Sequence, residues 1–179
     1  RSLVGHSGSG KSTTASLIPR FYDVQQGAVK IGGVDIREIP HADLMKMVAF
    51  VFQDPKLFKD TLLENIRAGR PSATRDEVLQ AARLAQCDDI LEKFPDGLDT
   101  VVGSKGVYLS GGETQRIAIA RAILKDAPIV VLDEATAYAD PENEQQIQKA
   151  FEGLVKGKTV IMIAHRLSTI QDADHNEDR

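Results

Sequence analysis

Short apolar runs and longer helical patterns alternate along this chain. Continuous apolar runs are typical of strands buried on both faces of a sheet, and they occur at Ser2–Val4, Val48–Phe52, Ile129–Leu132 and Thr159–Ala164. A shorter segment, Val29–Ile31, alternates like a strand and ends at the turn Gly32–Gly33. Strands separated by helices predict an α/β fold, in which helices flank a mainly parallel sheet.

The middle of the chain is predicted to be helical. Thr74 and Glu77 form a capping-box pattern, and apolar residues then follow at helical spacing, namely Val78, Ala81, Ala82 and Ala85. A second capping-box pattern, Ser110 with Glu113, begins a helix that we expect to reach about Lys125. We predict that residues from about 55 to 125 form a helical subdomain, inserted into the core of a single domain that spans residues 1–179.

Composition narrows the classes of function. With 179 residues, 42% hydrophobic and 27% charged, the chain is typical of a globular domain. A net charge of −4 argues against a nucleic-acid surface, so we expect no nucleic-acid partner. The single cysteine, Cys87, excludes an internal disulfide and is predicted to fill the core. No apolar run approaches the roughly 20 residues that a bilayer requires, so a membrane role would need another spanning segment.

A glycine-rich segment follows the first predicted strand and precedes a helix. It matches the phosphate-loop pattern GxxxxGKS/T in the context that this pattern requires. Its glycines allow backbone N–H groups to surround phosphate oxygens. Lys11 is predicted to neutralise the β- and γ-phosphates of ATP, and the Ser12 hydroxyl to hold Mg²⁺. The predicted ATP-binding residues are Gly5, Ser7, Gly8, Ser9, Gly10, Lys11, Ser12 and Thr13.

Two acidic residues, Asp133 and Glu134, end the apolar run Ile129–Leu132. The carboxyl ends of parallel strands are where α/β sheets bind ligands. Asp133 is predicted to hold the Mg²⁺ shell, and Glu134 to act as the general base that polarises the attacking water. Many strands end in acids, so the pattern gains its meaning from the phosphate loop earlier in the chain.

Tyr108–Glu113, with the sequence YLSGGE, resembles the LSGGQ signature of ABC ATPases, a family of P-loop NTPases. Two glycines at a helix N-terminus leave N–H groups that can bind an anion, with help from the helix dipole. The alternative is that Ser110 and Glu113 only cap a helix; the order of the motifs favours the signature. The resemblance implies contacts in trans to the ATP of a partner cassette by Leu109, Ser110, Gly111, Gly112 and Glu113.

The resemblance assigns three further residues. Gln53 matches the glutamine of the Q-loop, which contacts Mg²⁺ and senses the γ-phosphate. Asp140 matches the aspartate of the D-loop, and His165 the switch histidine that contacts the γ-phosphate. The implied catalytic residues are therefore Glu134, His165 and Gln53, and the implied metal ligands are Ser12, Gln53 and Asp133.

The strings FQDPKLFKDTLLENI and AHRLST are similar to the exporter-type ABC branch. LSGGETQR and DEATAYADPE are most similar to bacterial exporter-fold transporters of iron–siderophores. This likeness implies ATP hydrolysis that drives transmembrane transport, at the cytoplasmic face of a bacterial inner membrane. The implied partners are transmembrane domains and a second cassette, identical or not, bound head to tail. The substrate and the direction of transport are left open.

The chain also departs from the family pattern. Glu113 stands where the signature usually has Gln, which adds a negative charge near a phosphate site. The family's adenine-stacking aromatic lies upstream of the phosphate loop, so we expect a cassette that is incomplete at both ends.

Three other functions are alternatives to transport. A soluble ABC-type ATPase of a nucleic-acid machine would carry a long coiled coil between Gln53 and Tyr108, and no sustained heptads occur there. A translation factor would need a second cassette and a basic linker. A non-enzymatic nucleotide-binding module would not need the carboxylate of Glu134.

Overall fold

The computed structural model describes residues 2–4, 27–52, 54–103, 107–133, 141–164 and 176–178. The chain divides into two compact units. The first comprises Arg1–Phe52, Ala127–Thr136 and Thr159–Arg179, and the second comprises Gln53–Asp126 and Ala137–Lys158. The predicted limits of the inserted helical subdomain, about 55–125, stay a prediction.

The described part of the first unit contains a parallel sheet of five strands. Its strands, in chain order, are β1 (Ser2–Val4), β4 (Val48–Val51), β5 (Ile129–Asp133), β6 (Thr159–Ala164) and β7 (Asn176–Asp178). Their order across the sheet is β4-β5-β6-β1-β7. The buried side chains of Val48 and Val131 form the centre of a hydrophobic cluster on neighbouring strands, with Met47, Phe50, Ile129 and Ile161 against them. The predicted α/β fold with a parallel sheet is confirmed.

A separate antiparallel hairpin joins β2 (Lys30–Ile31) to β3 (Val34–Asp35). The two residues between these strands, Gly32 and Gly33, have φ angles of 57° and 84°. Two-residue hairpin loops favour positive φ at both positions because their twist then matches that of the strands. The predicted turn at these glycines is therefore confirmed.

One strand was not predicted. The polar segment 175–179 shows no strand pattern, yet the structure pairs Asn176–Asp178 with β1. The pairing of strands is made by backbone N–H and C=O groups, which every residue except proline carries. An apolar or alternating side-chain pattern is therefore not required for this pairing, and the sequence pattern predicts no strand here.

Within the described residues, most of the helices belong to the second unit. The first unit has the short helix α1 (His41–Met47), and the second unit has α2 (Leu62–Arg67), α3 (Arg75–Leu84), α4 (Asp88–Lys93), α5 (Gly111–Lys125) and α6 (Pro141–Val155). Both predicted capping boxes are present, Thr74 with Glu77 at α3 and Ser110 with Glu113 at α5. Among the described residues, no helix combines the length and the apolar character that crossing a bilayer would require.

Helix α5 is the central element of the second unit, and it packs against α2, α3 and α6. Most of its side chains are buried, including Ile117, Ile119 and Ala120. A helix that is buried on most of its faces belongs to the interior of its unit. Cys87, which precedes α4, is also fully buried, so its predicted place in the core is confirmed.

Candidate functional site

The structure describes six of the predicted site residues. Leu109, Ser110, Gly111, Gly112 and Glu113 lie at the start of α5 in the second unit, and Asp133 is the last residue of β5 in the first. The other predicted site residues lie outside the described part of the chain, namely Gly5, Ser7, Gly8, Ser9, Gly10, Lys11, Ser12, Thr13, Gln53, Glu134, Asp140 and His165.

A reciprocal pair of hydrogen bonds fixes the start of α5. The backbone N–H of Glu113 donates to the Ser110 hydroxyl at 3.2 Å, and the backbone N–H of Ser110 donates to Oε1 of Glu113 at 3.0 Å. Ser110 itself is extended, with φ −65° and ψ 165°, as expected at an N-cap. Ser110 and Glu113 therefore do cap the helix, as the alternative to the signature required. This capping is compatible with anion binding by the same segment.

The residues that α5 presents to solvent are suited to an anion. Ser110 and Gly111 are exposed, whereas Gly112 and Glu113 are buried behind them. The N–H groups of Gly111 and Gly112 belong to the first turn, where a helix offers no intrahelical acceptor. The positive end of the helix dipole adds to their effect. The Ser110 hydroxyl accepts from Glu113 and can still donate its own proton to an anion.

Glu113 has an internal counter-charge. The ammonium of Lys93, the last residue of α4, lies 3.3 Å from both carboxylate oxygens of Glu113. The side chain of Glu113 is 11% exposed and that of Lys93 is 52% exposed. Burial raises the pKa of Glu113, but the hydrogen bonds from Ser110 and the ammonium of Lys93 together hold that pKa below its ordinary value of 4.5. Glu113 is therefore ionised at neutral pH, and its charge is compensated.

Gly112 allows a second helix to approach. A Cβ atom at Gly112 would lie 2.9 Å from Cγ of Asn143, a residue of α6. Any larger residue at this position would force the side chain of Asn143 to move. The glycine thus serves the packing of α6 on α5 as well as the exposure of backbone N–H groups.

A buried arginine joins the elements behind the signature. The Arg116 side chain is 1% exposed, and its guanidinium donates to both carboxylate oxygens of Asp89 at 2.6 and 3.0 Å. It also donates to the backbone oxygen of Gln86 at 2.6 Å and to Oδ1 of Asn143 at 3.5 Å. Bidentate pairs of this kind fix geometry as well as charge. The start of α5 is therefore tied to α4 and α6.

Asp133 meets one requirement of a magnesium site. It is the last residue of β5, opposite Ile163 of β6, at the carboxyl end of parallel strands. The other predicted ligands, the Ser12 hydroxyl and the Gln53 amide, offer oxygen atoms, which Mg²⁺ prefers. Within the described residues, no group of three or more His, Cys, Asp or Glu residues could hold a metal by itself. Mg²⁺ is often bound by one or two protein oxygen atoms together with the phosphate oxygens of a nucleotide, and the predicted ligands fit such a site.

The first unit also has an apolar cavity of about 460 Å³. It is lined by residues in and just before the β2–β3 hairpin, among them Val29 and Ile31, by Met47 at the end of α1, and by Ile129 and Thr159 at the amino ends of two sheet strands. Asp133 lies at the opposite end of β5 from Ile129. Of the predicted magnesium ligands, the described one, Asp133, is thus not part of the cavity lining.

Comparison with known proteins decides the family. The family described as ABC transporter matches residues 1–137. The chain belongs to the ABC transporter family. It is an exporter-type nucleotide-binding domain, the ABC ATPase domain that binds and hydrolyses ATP.

The relatives of this ABC domain come from bacteria and eukaryotes. The ATP-dependent lipid A-core flippase of Legionella pneumophila (strain Paris) is 54% identical over 171 residues, which cover 96% of this chain and 29% of the flippase. ABC transporter B family member 4 of Dictyostelium discoideum is 50% identical over 172 residues, 96% of this chain and 22% of that protein. The mitochondrial potassium channel ATP-binding subunit of Xenopus tropicalis is 52% identical over 173 residues, 96% of this chain and 25% of that protein.

Some residues that shape the signature of this ABC domain were not found by sequence reasoning. Lys93 lies 20 positions before Glu113, and Asp89 lies 27 positions before Arg116. Neither separation corresponds to a local motif, because the pairs form between different helices. The bulky neighbour of Gly112, Asn143, is likewise supplied by another helix.

Proposed function

We propose that the whole protein uses ATP hydrolysis by this cassette to drive transport across a membrane. In this proposal the cassette lies at the cytoplasmic face and is joined to transmembrane domains, with a second cassette as partner. The observation that carries it is the start of α5, where an exposed hydroxyl and first-turn N–H groups are held by a capping box in the signature segment of an ABC domain.

The proposed chemistry divides among the residues of this chain. The phosphate loop around Lys11 binds the triphosphate, and Glu134 takes the proton of the attacking water. Gln53 and His165 contact the γ-phosphate, which they position for attack. Ser12, Gln53 and Asp133 would hold Mg²⁺, which neutralises charge on the phosphate oxygens.

A composite site with the second cassette follows from the same observation. We infer that Ser110 and Gly111 of one cassette contact the ATP held by the phosphate loop of the other, in a head-to-tail pair. ATP then holds the two cassettes together, and hydrolysis releases them. Opening and closing of the pair would move the transmembrane domains.

The similarity to these relatives identifies neither the transported substrate nor the membrane. The chain spans only about 22–30% of the length of the relatives it matches, and their printed names differ in what they handle. The predicted relation to iron–siderophore transport gains no support from these names. The bacterial inner membrane likewise stays a prediction, because the relatives include eukaryotic proteins.

The test of hydrolysis is Glu134→Gln in the full-length protein. We expect the ATPase rate to fall by roughly 10²–10⁴-fold, the usual contribution of a general base, while ATP affinity is retained. Lys11→Ala is the matched comparison, because loss of that cation should weaken ATP binding itself. An unchanged rate in Glu134→Gln would contradict its role as the base.

The head-to-tail arrangement is tested by crosslinking. Cysteines introduced by Ser9→Cys and Ser110→Cys, each in a different subunit, should crosslink more when ATP is added. The native Cys87 should not interfere, since it is fully buried and burial raises the pKa of its thiol to about 12. Crosslinks that form only within one subunit would contradict the composite site.

A further inference from the structure

The signature of this chain carries a full negative charge directly behind its anion-binding surface. Oε1 of Glu113 accepts a hydrogen bond from the backbone N–H of Ser110 at 3.0 Å. Under the proposed function, the triphosphate of ATP contacts Ser110 from the solvent side. Two negative charges within several ångströms repel each other unless a cation lies between or beside them. The charge of Glu113 must therefore be compensated for ATP to bind well here.

Helix capping does not explain the presence of Lys93. The capping box needs only an acceptor oxygen at position 113, and the amide of a glutamine supplies one equally well. Lys93 comes from a different helix, α4, and its ammonium contacts both oxygens of Glu113 at 3.3 Å. It also lies 5.3 Å from the centre of the Phe94 ring, a cation–π distance that favours this position. The ammonium of Lys93 is therefore explained by the negative charge of Glu113, since capping alone does not require a cation.

We propose that Lys93 is a positioning residue of the composite ATP site, which neutralises Glu113 and keeps the start of α5 receptive to phosphate. The inference rests on the proposed function, namely that the signature contacts ATP. Lys93 does not touch the nucleotide in this account; it acts through Glu113. The KM for ATP should therefore depend on Lys93 only when residue 113 is acidic.

The experiment is a double-mutant comparison in the full-length transporter, with KM and kcat for ATP as readouts. We expect Lys93→Met to raise KM for ATP about fivefold to tenfold, as expected from one uncompensated charge near the phosphates. In a Glu113→Gln background, the same Lys93→Met change should alter KM by less than about twofold. Lys93→Arg, which keeps the cation, should stay close to the parent protein.

Two controls separate the possible outcomes. Lys149→Met removes an exposed lysine from α6 and should leave KM unchanged. Ser110→Arg blocks the signature surface and should abolish turnover. If Ser110→Arg leaves the ATPase rate intact, the proposed function fails, and the role of Lys93 fails with it. If Ser110→Arg is inactive but Lys93→Met has equal effects in both backgrounds, or none, only the role of Lys93 is overturned.

Discussion

The side chain of Glu113 couples the stability of the second unit to pH. Its pKa is lower in the folded protein than the ordinary value of 4.5, because the hydrogen bonds from Ser110 and the ammonium of Lys93 outweigh the effect of burial. A carboxyl group with a lowered pKa stabilises the fold above its unfolded pKa. That contribution is lost as the pH falls through the folded pKa.

We therefore predict that Glu113→Gln makes the free energy of unfolding less sensitive to acid. Between about pH 5 and pH 3, the parent chain should lose more stability than the variant. Urea unfolding at a series of pH values measures the difference. Other carboxyl groups with lowered pKa, such as Asp99 and Glu77, affect both proteins equally. Parallel pH curves for parent and variant would contradict the prediction.

Residue-scale interactions differ in how far the sequence determines them. The capping boxes at Thr74 and Ser110 could be predicted, because both partners lie within four residues of one another. The pairs of Glu113 with Lys93 and of Arg116 with Asp89 could not, because tertiary packing brings their helices together. The charge of Glu113 was visible in the sequence, but its compensation was not.

At the scale of elements, Gly69 sets the distance between the end of α2 and helix α5. A Cβ atom at Gly69 would lie 2.1 Å from the backbone oxygen of Arg121. The Arg121 guanidinium also donates to the backbone oxygen of Asn65 at 2.8 Å, so the two segments are joined at the same place. A backbone oxygen inside a helix cannot move away as a flexible side chain can.

Gly69→Ala should consequently destabilise the chain by about 3 kcal/mol or more, as overpacking against rigid backbone does. Gly32→Ala is the matched control. At Gly32 a Cβ meets nothing within 4 Å, and only its positive φ of 57° opposes the change, which should cost about 1 kcal/mol. Denaturant unfolding of both variants gives the comparison. Equal losses would mean that the approach of these segments is looser than the structure indicates.

Element-scale prediction succeeded where the pattern was long or strongly apolar. Helices α3 and α5 and strands β4, β5 and β6 follow from periodicity and from continuous apolar runs. The six-residue helices α2 and α4 did not follow individually, because two turns give too few positions to define a period. The strand β7 was missed because its pairing depends on the backbone alone.

At the scale of the whole molecule, Cys87 reports whether the helical unit is closed. The thiol is fully buried before α4, and burial raises its pKa to about 12. Since the thiolate is the reactive form, alkylation requires the unit to open.

We predict that Cys87 reacts with a soluble thiol reagent only at the rate of unfolding, and that this rate rises steeply in mild denaturant. Mass spectrometry of the alkylated chain over time measures it. A cysteine placed at an exposed position by Ser110→Cys serves as the fast control. Rapid labelling of Cys87 under native conditions would show that this part of the core opens without denaturant.

The strand order also determines when each strand of the newly synthesised chain can pair. Strand β1 pairs with β6 and β7, which both follow it by more than 150 residues, so Ser2 cannot pair with Met162 until that later segment has left the ribosome. Helices α2 to α5 are close in sequence and can assemble as they emerge, because local contacts close short loops. A partly synthesised chain would therefore carry an assembled group of helices, α2 to α5, while β1 is still unpaired with β6 and β7. Until β6 and β7 have been synthesised, β1 can pair with a wrong strand. A chaperone that binds extended apolar segments would act on the nascent protein during this interval.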